Sequence, residues 1–236
     1  MSDSLNDPRP AIATAAADLA AGPRPPLSAA QACDMAVGAN AKAAILVEGW
    51  SDQAAVEALA RRHGCDLRAE GIVVVPMGGV TNIGPFLQAL GQPGLDLRLA
   101  GLYDAAEEPY VRRALRQAGL GEAALRANTE ARGFFMCDAD LEDELIRAVG
   151  ATAVEAVLEA QGELASFRRF QNQPAQRGRD HEPQLRRFMG TRARRKIRYG
   201  SLLVDALDLR RAPRALDLVL AHARGQKTPP EEATGQ

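Results

Sequence analysis

Aromatic residues make up only 4% of the 236-residue chain. A core must therefore be built largely from Leu, Val, Ile and Ala, and a stacking platform for single-stranded bases is disfavoured. Cysteine is scarcer still. Cys33, Cys65 and Cys137 are odd in number and far apart. With three scattered histidines, they make neither a disulfide framework nor a zinc pattern. A reducing, cytoplasmic setting is the expectation. No apolar run approaches the roughly 20 residues of a membrane helix, so no membrane partner is expected. The opening MSDSLNDPRP has no basic stretch leading into an apolar one, and no signal peptide is expected. Nothing matches G-x-x-x-x-G-K-[ST], which excludes a P-loop within this sequence.

What remains is the composition of a soluble globular protein, 46% hydrophobic and 25% charged, long enough for one generous domain or two small ones. The proline-rich GPRPPLS at 22–28 interrupts regular structure. Residues 1–40 are expected to be a flexible tail and a lead-in helix, with AIATAAADLA transiently helical. From 41 to 150 the pattern alternates. Apolar runs at 43–49, 71–79, 97–104 and 133–138 read as strands. Between them lie segments with apolar residues at i, i+3, i+4 and i+7, such as Val56, Leu59, Ala60 and His63. Strands without in/out alternation, separated by helices, predict an α/β fold with a parallel sheet of about four strands covered on both faces. Residues 151–222 read as a helical extension of the same domain, and 223–236 as a second tail.

Acids gather where such strands end. The first strand closes on Glu48, with Asp52 four residues on. The third closes on Asp104, with Glu107 and Glu108 behind it, and the fourth is followed by Asp138, Asp140 and Glu142. Ligands of open parallel sheets collect at this edge, and hard divalent cations take oxygen ligands from several carboxylates. Helix capping and the macrodipole account for Asp52, Glu107 and Glu108 without any metal. They account poorly for Glu48 and Asp104, which end apolar strands. The Pro76-Met77-Gly78-Gly79 stretch leaves room for a ligand's backbone or serves tight strand–helix packing.

Residues 168–198 hold eleven Arg or Lys against Asp180 and Glu182, a local charge of +9 in a chain of net charge -1. A basic block beside an acidic site is the polarity expected of a metal-dependent enzyme working on a phosphate backbone. The competing account is a solvated helical face, or pairing with the domain's own acids. Ser51 is read as a helix cap, and His63 as packing.

The segment Ile45-Leu46-Val47-Glu48-Gly49-Trp50-Ser51-Asp52 resembles the opening motif of the Toprim domain. That family includes bacterial primases, topoisomerases, recombination mediators and the OLD-family nucleases. Leu102-Tyr103-Asp104 falls where the family carries Asp-x-Asp, although Ala106 replaces the second aspartate. Asp52 and Asp140-Leu141-Glu142 resemble the further acids of the OLD type, and Lys196 its late lysine. The resemblance covers about 41–205 and implies a Toprim-like (Rossmann-like) sheet with a basic helical extension. It implies Mg²⁺- or Mn²⁺-dependent phosphodiester hydrolysis on DNA, with Glu48, Asp52, Asp104, Asp140 and Glu142 as metal ligands. Glu48, Asp104 and Lys196 would be catalytic, and Arg192, Arg194, Arg195 and Arg198 would contact nucleic acid. OLD proteins usually carry an ABC-type ATPase ahead of this domain. A stand-alone Toprim protein is therefore expected, with any ATPase supplied by a separate subunit. The alternative is a non-catalytic Toprim module that binds DNA or a partner in repair or recombination, and Ala106 favours it.

Overall fold

Four short apolar runs line up side by side, and β1 and β2 bury every one of their side chains. β1 (Ala43–Val47), β2 (Ile72–Pro76), β3 (Arg98–Asp104) and β4 (Phe134–Cys137) form one parallel sheet of order β2-β1-β3-β4. Ile45 sits opposite Val74 on one side and Ala100 on the other. The computed structural model describes residues 25–119 and 129–226. Most of both expected tails, and the AIATAAADLA stretch, lie outside the described residues.

Alternation along β1 divides the interior in two. Ala43, Ile45 and Val47 point into the core beneath α2 (Trp50–Arg62). Ala44 and Leu46 point into a second core, closed by α1 (Ala29–Gly38), α3 (Ile83–Leu90) and α4 (Glu108–Gln117). Every β1 side chain is buried, so the strand has no polar face, as a sheet covered on both sides requires. The lead-in helix α1 begins with reciprocal capping: Ser28 Oγ accepts from Gln31 N at 3.2 Å, and Gln31 Oε1 accepts from Ser28 N at 2.9 Å. It buries Ala32 and Ala36.

After the sheet the chain is helical. It runs through α5 (Leu141–Val149), α6 (Ala151–Ala160), α7 (Leu164–Gln171), α8 (His181–Gly190), α9 (Ala193–Ala206) and α10 (Arg214–Ala223). These helices pack over the α2 face: α9 runs against α2, and α10 lies on β3 and β4. Phe167, Leu185, Tyr199, Leu203 and Val219 join the same core as Ile45. The fold is thus α/β, with its basic helices built into the sheet's own core. No helix among the described residues is long and apolar enough to cross a membrane.

Two of the expected helices start with a tighter turn. Short 3₁₀ segments at Val80–Asn82 and Ala105–Glu107 precede α3 and α4. The second of these shapes the site.

Candidate metal centre

The connection from β1 leads through α2 to β2 on one side, and that from β3 leads through α4 toward β4 on the other. The carboxyl ends of β1 and β3 therefore flank the point where strand order reverses, the position at which open α/β sheets form a crevice. Glu48 follows β1 and Asp104 ends β3. Glu48, Asp104 and Glu107 each place a carboxylate oxygen within 4.8 Å of the other two. Glu48 is held from its backbone: its carbonyl accepts from Gly78 N at 2.9 Å and Gly79 N at 3.2 Å.

Glu107 arrives by helical geometry. Asp104 is extended, and the chain then tightens into the 3₁₀ turn of Ala105–Glu107. In such a turn residues three apart lie over one another. Glu107 is thereby brought above Asp104, and its Oε2 accepts from Asp104 N at 3.4 Å. Ala106 is exposed. Glu108 turns away to Arg112, 3.2 Å from its carboxylate.

Burial of acids beside acids shifts their titration. Desolvation, then the charges of Asp140, Glu48, Glu107 and Asp52, push Asp104 up to about 7. Glu107 is raised by burial and by Glu48. An octahedral ion with bonds of about 2.1 Å sets its ligand oxygens about 3–4 Å apart, so three oxygens within 4.8 Å of one another need only draw in to hold one hard divalent cation. Such a cation would also remove the repulsion that raises these acids.

The remaining expected ligands form a second array with other partners. Asp52 reaches back to cap its own helix, accepting from Gly49 N at 2.8 Å; burial raises it to about 6 against the lowering effects of that bond and of Lys196. Lys196 extends from the first turns of α9 to Glu142, with Nζ 3.6 Å from Oε2. Glu142 is pushed up to about 7 by burial, which outweighs the nearby Lys196. Burial alone would lower Lys196; Glu142, Asp52, Asp140 and Glu48 reverse this and hold it above the ordinary lysine range. Asp140 caps α5, accepting from Asp143 N at 2.8 Å through Oδ1, and its Oδ2 meets Arg186. Asp138 is exposed near Arg147.

Several expectations need correction. The N–H groups of Gly78 and Gly79 bond to the Glu48 carbonyl, and the Pro26 ring covers Gly78 so closely that a Cβ there would lie 2.2 Å from Pro26 Cβ. Pro26 thus closes the Cβ side of Gly78, while Gly79 meets nothing nearer than Thr81 Oγ1 at 4.0 Å. The basic segment is also partly neutralised from within. Arg168 pairs with Glu155, Arg186 with Asp140, Arg195 with Glu163 and Lys196 with Glu142. Arg195 cannot serve as a free phosphate contact. Its side chain is only 10% exposed, bonds to Glu163 Oε2, the Phe188 carbonyl and Thr191 Oγ1, and lies 4.1 Å from the Phe188 ring centroid. Arg192 and Arg194 are exposed at the start of α9. Arg198 is half-buried near Tyr199, with Nε and Nη2 lacking hydrogen-bond partners among the described residues. Tyr103 and Tyr199 are buried and bonded to Thr129 and Glu163. The sequence pattern carried no sign of the Arg186–Asp140 pair, which joins residues 46 apart on two different helices.

The family model for the Toprim domain of Overcoming lysogenization defect (OLD) protein-like proteins matches residues 41–105. Among solved structures, the chain is similar to the C-terminal region of the OLD protein of Xanthomonas campestris pv. campestris. One structure of that region shares 24% identity over 79% of this chain and 93% of that one, with a TM-score of 0.61. Another shares 27% identity over 78% and 95%, with a TM-score of 0.58. The C-terminal region of the Burkholderia pseudomallei OLD protein shares 23% identity over 78% and 98%, with a TM-score of 0.57. No curated protein matches. A likeness over more than three quarters of the chain exceeds the matched 41–105, so the common fold takes in part of the helical region as well. Residues 41–105 thus match the Toprim domain model of OLD-like proteins, within a fold similar to the C-terminal regions of OLD proteins.

Proposed function

We propose that this protein hydrolyses phosphodiester bonds in DNA with Mg²⁺ or Mn²⁺. The observation that carries the reading is the convergence of Glu48, Asp104 and Glu107 at the sheet's switch point, with Lys196 facing the adjoining acids. Glu48, Asp104 and Glu107 would hold one cation, and Asp140 and Glu142 would contribute to a second. When bound, such cations supply Lewis acidity toward a phosphoryl oxygen and lower the pKa of water. The chain's own groups do the rest. Lys196, kept charged by its carboxylate neighbours, places a positive group where negative charge grows on the phosphorus oxygens. Glu48, the most open of the three acids, is placed to take a proton from an attacking water. Exposed arginines at the start of α9, Arg192 and Arg194, hold flanking phosphates.

A second reading is a DNA-binding module without catalysis. It is favoured by Ala106 in place of an aspartate, and by the engagement of Asp140 and Glu142 with Arg186 and Lys196. The test is incubation of purified protein with supercoiled and linear DNA in Mg²⁺, Mn²⁺ or EDTA. Cleavage that needs a metal and is lost in Glu48→Gln supports hydrolysis. Retarded but intact DNA under every condition supports the module.

A further inference from the structure

Aromatic side chains are few in this chain, and their placement is uneven. Of the six Phe, three Tyr and one Trp, every Phe is buried, and so are Tyr103 and Tyr199. The two exceptions are Trp50, partly exposed, and Tyr110, 56% exposed. Both stand beside the acidic cluster. Trp50 opens α2 two residues after Glu48, so the two Cα atoms lie within about 7 Å. Tyr110 stands in the first turn of α4, three residues after Glu107. Helices α2 and α4 both begin at the carboxyl edge of the sheet, and they pack on its opposite faces. Cα–Cβ bonds on a helix tilt toward its N-terminus. Those of Trp50 and Tyr110 therefore tilt toward the edge that holds Glu48, Asp104 and Glu107. Met136 adds exposed apolar surface on the α4 side. It shares the face of Phe134, sits opposite Tyr103 one residue before the Asp104 pair, and is 41% exposed. Arg113, three residues after Tyr110 on α4, is exposed and has no carboxylate partner among the described residues.

We infer that Trp50 and Tyr110 are base-stacking residues on the two sides of the acidic cluster, and that the substrate is DNA presenting unpaired bases there rather than an intact duplex. The inference rests on the DNA-cleaving reading above and names its substrate class. Within a duplex each base face is covered by the next base, and a ring beside the backbone finds nothing to stack on. In a single strand, a flap or a frayed end, the bases flanking a phosphate are free to turn toward the protein. Every base has a π-face, so a Trp and a Tyr take them without regard to sequence. With a phosphate held at the acidic cluster, rings on opposite faces of the sheet are placed to take the base before it and the base after it. Stacking also covers apolar ring surface that neither core uses. Arg113 then stands where the strand continues past Tyr110, with a planar fork suited to phosphate oxygens. A low aromatic content excludes a long stacking platform, but a pair of rings at the cluster needs only these two residues.

The test compares a short phosphorothioate oligo(dT) strand with a blunt phosphorothioate duplex of the same length, both fluorescein-labelled and titrated with the full chain in Mg²⁺. Anisotropy gives the affinities. Trp50 is the only tryptophan, so its emission reports stacking at that position directly. The single strand is expected to quench Trp50 and to bind about tenfold or more tighter than the duplex, the scale of stacking one or two bases. Tyr110→Ala should weaken single-strand binding by about fivefold or more and change duplex binding by less than about twofold. Tyr110→Phe, which keeps the ring, should bind the single strand like the wild type. Trp50→Ala should repeat the Tyr110→Ala pattern. Because Tyr110 is exposed, its variants test the inference even if Trp50→Ala fails to fold. Equal affinity for strand and duplex, or an equal loss on both in Tyr110→Ala, overturns the stacking pair while DNA binding stands. Failure of either DNA to bind overturns the DNA-cleaving reading, and the stacking pair with it.

Discussion

Gly200 of α9 lies directly against the carbonyl of Ser51 in the first turn of α2, so close that a Cβ at position 200 would sit 2.5 Å from that oxygen. Lys196 stands one helical turn before Gly200 and faces Glu142. The missing side chain lets α9 approach α2 and so sets how far Lys196 reaches over the acids.

Gly200→Ala is therefore expected to push α9 outward. Overpacking of this kind costs about 1–3 kcal/mol, which lowers the melting temperature by several degrees on the scale of about 2–4 °C per kcal/mol for a chain this long. The larger effect should be functional, since Lys196 moves with the helix. Activity on DNA should fall further than thermal denaturation can explain, while Lys196→Ala at an unaltered Gly200 should lose activity with little loss of stability.

The acids give the metal-free protein a pH dependence whose sign follows from their raised titration. Asp104 and Glu142 titrate at about 7 and Asp52 at about 6, above the unfolded values of about 4. Between these limits the folded chain holds protons that the unfolded chain has released. Stability contributed by those protons is lost as pH rises toward 7 and beyond. The metal-free protein should melt lower at about pH 8 than at about pH 5.5, and Mn²⁺ should raise the melting temperature more at the higher pH, where protons no longer compete. Asp104→Asn should flatten the metal-free profile, by about 2–4 °C at the alkaline end once solvent screening is allowed for, and should remove most of the Mn²⁺ response. An equal Mn²⁺ shift in the wild type and in Asp104→Asn would contradict the assignment.

Much of this arrangement was legible in the sequence. Ile45, Leu46 and Val47 read as a strand buried on both faces, and capping accounted poorly for an acid closing such a run. The parallel order then carried Glu48 and Asp104 to one edge. Contacts between distant helices were not legible. Arg192, Arg194 and Arg195 stand in one basic run, and nothing local sets Arg195 apart from the other two. Only folding brings Glu163 and Phe188 to it.

That difference is testable within the basic segment. Arg195→Ala leaves the Glu163 carboxylate without its guanidinium and should destabilise the fold by about 2–3 kcal/mol, while changing the salt dependence of DNA binding little. Arg187→Ala combined with Arg192→Ala should do the reverse. Stability should stay within about 0.5 kcal/mol of the wild type, while the slope of log affinity against log salt should fall by roughly one unit for each phosphate no longer held. If Arg195→Ala alone altered the slope, that residue would return to the phosphate path.

At Ala106 the chain departs from Asp-x-Asp, and the local backbone brings a different acid beside Asp104. Residues i and i+2 share a face only if the strand stays extended. Here the strand ends at Asp104 and the next three residues form a 3₁₀ turn, which exposes Ala106 and brings Glu107 over Asp104. The second oxygen of the pair thus comes from residue i+3 rather than i+2. Ala106→Asp should then change Mn²⁺ affinity and cleavage by less than about twofold, because the new carboxylate starts from an exposed position with no part in the cluster; binding titration and cleavage assays read this directly. Glu107→Ala should weaken the tighter Mn²⁺ site by about tenfold or more, on the scale of removing one charged ligand, and cleavage should fall with it. Restoring an acid at 106 in the Glu107→Ala background should rescue little unless the turn itself reverts to an extended strand. If Ala106→Asp alone strengthens Mn²⁺ binding markedly while Glu107→Ala leaves it intact, the family's i+2 geometry operates here, and Glu107 is a capping residue of its own short turn.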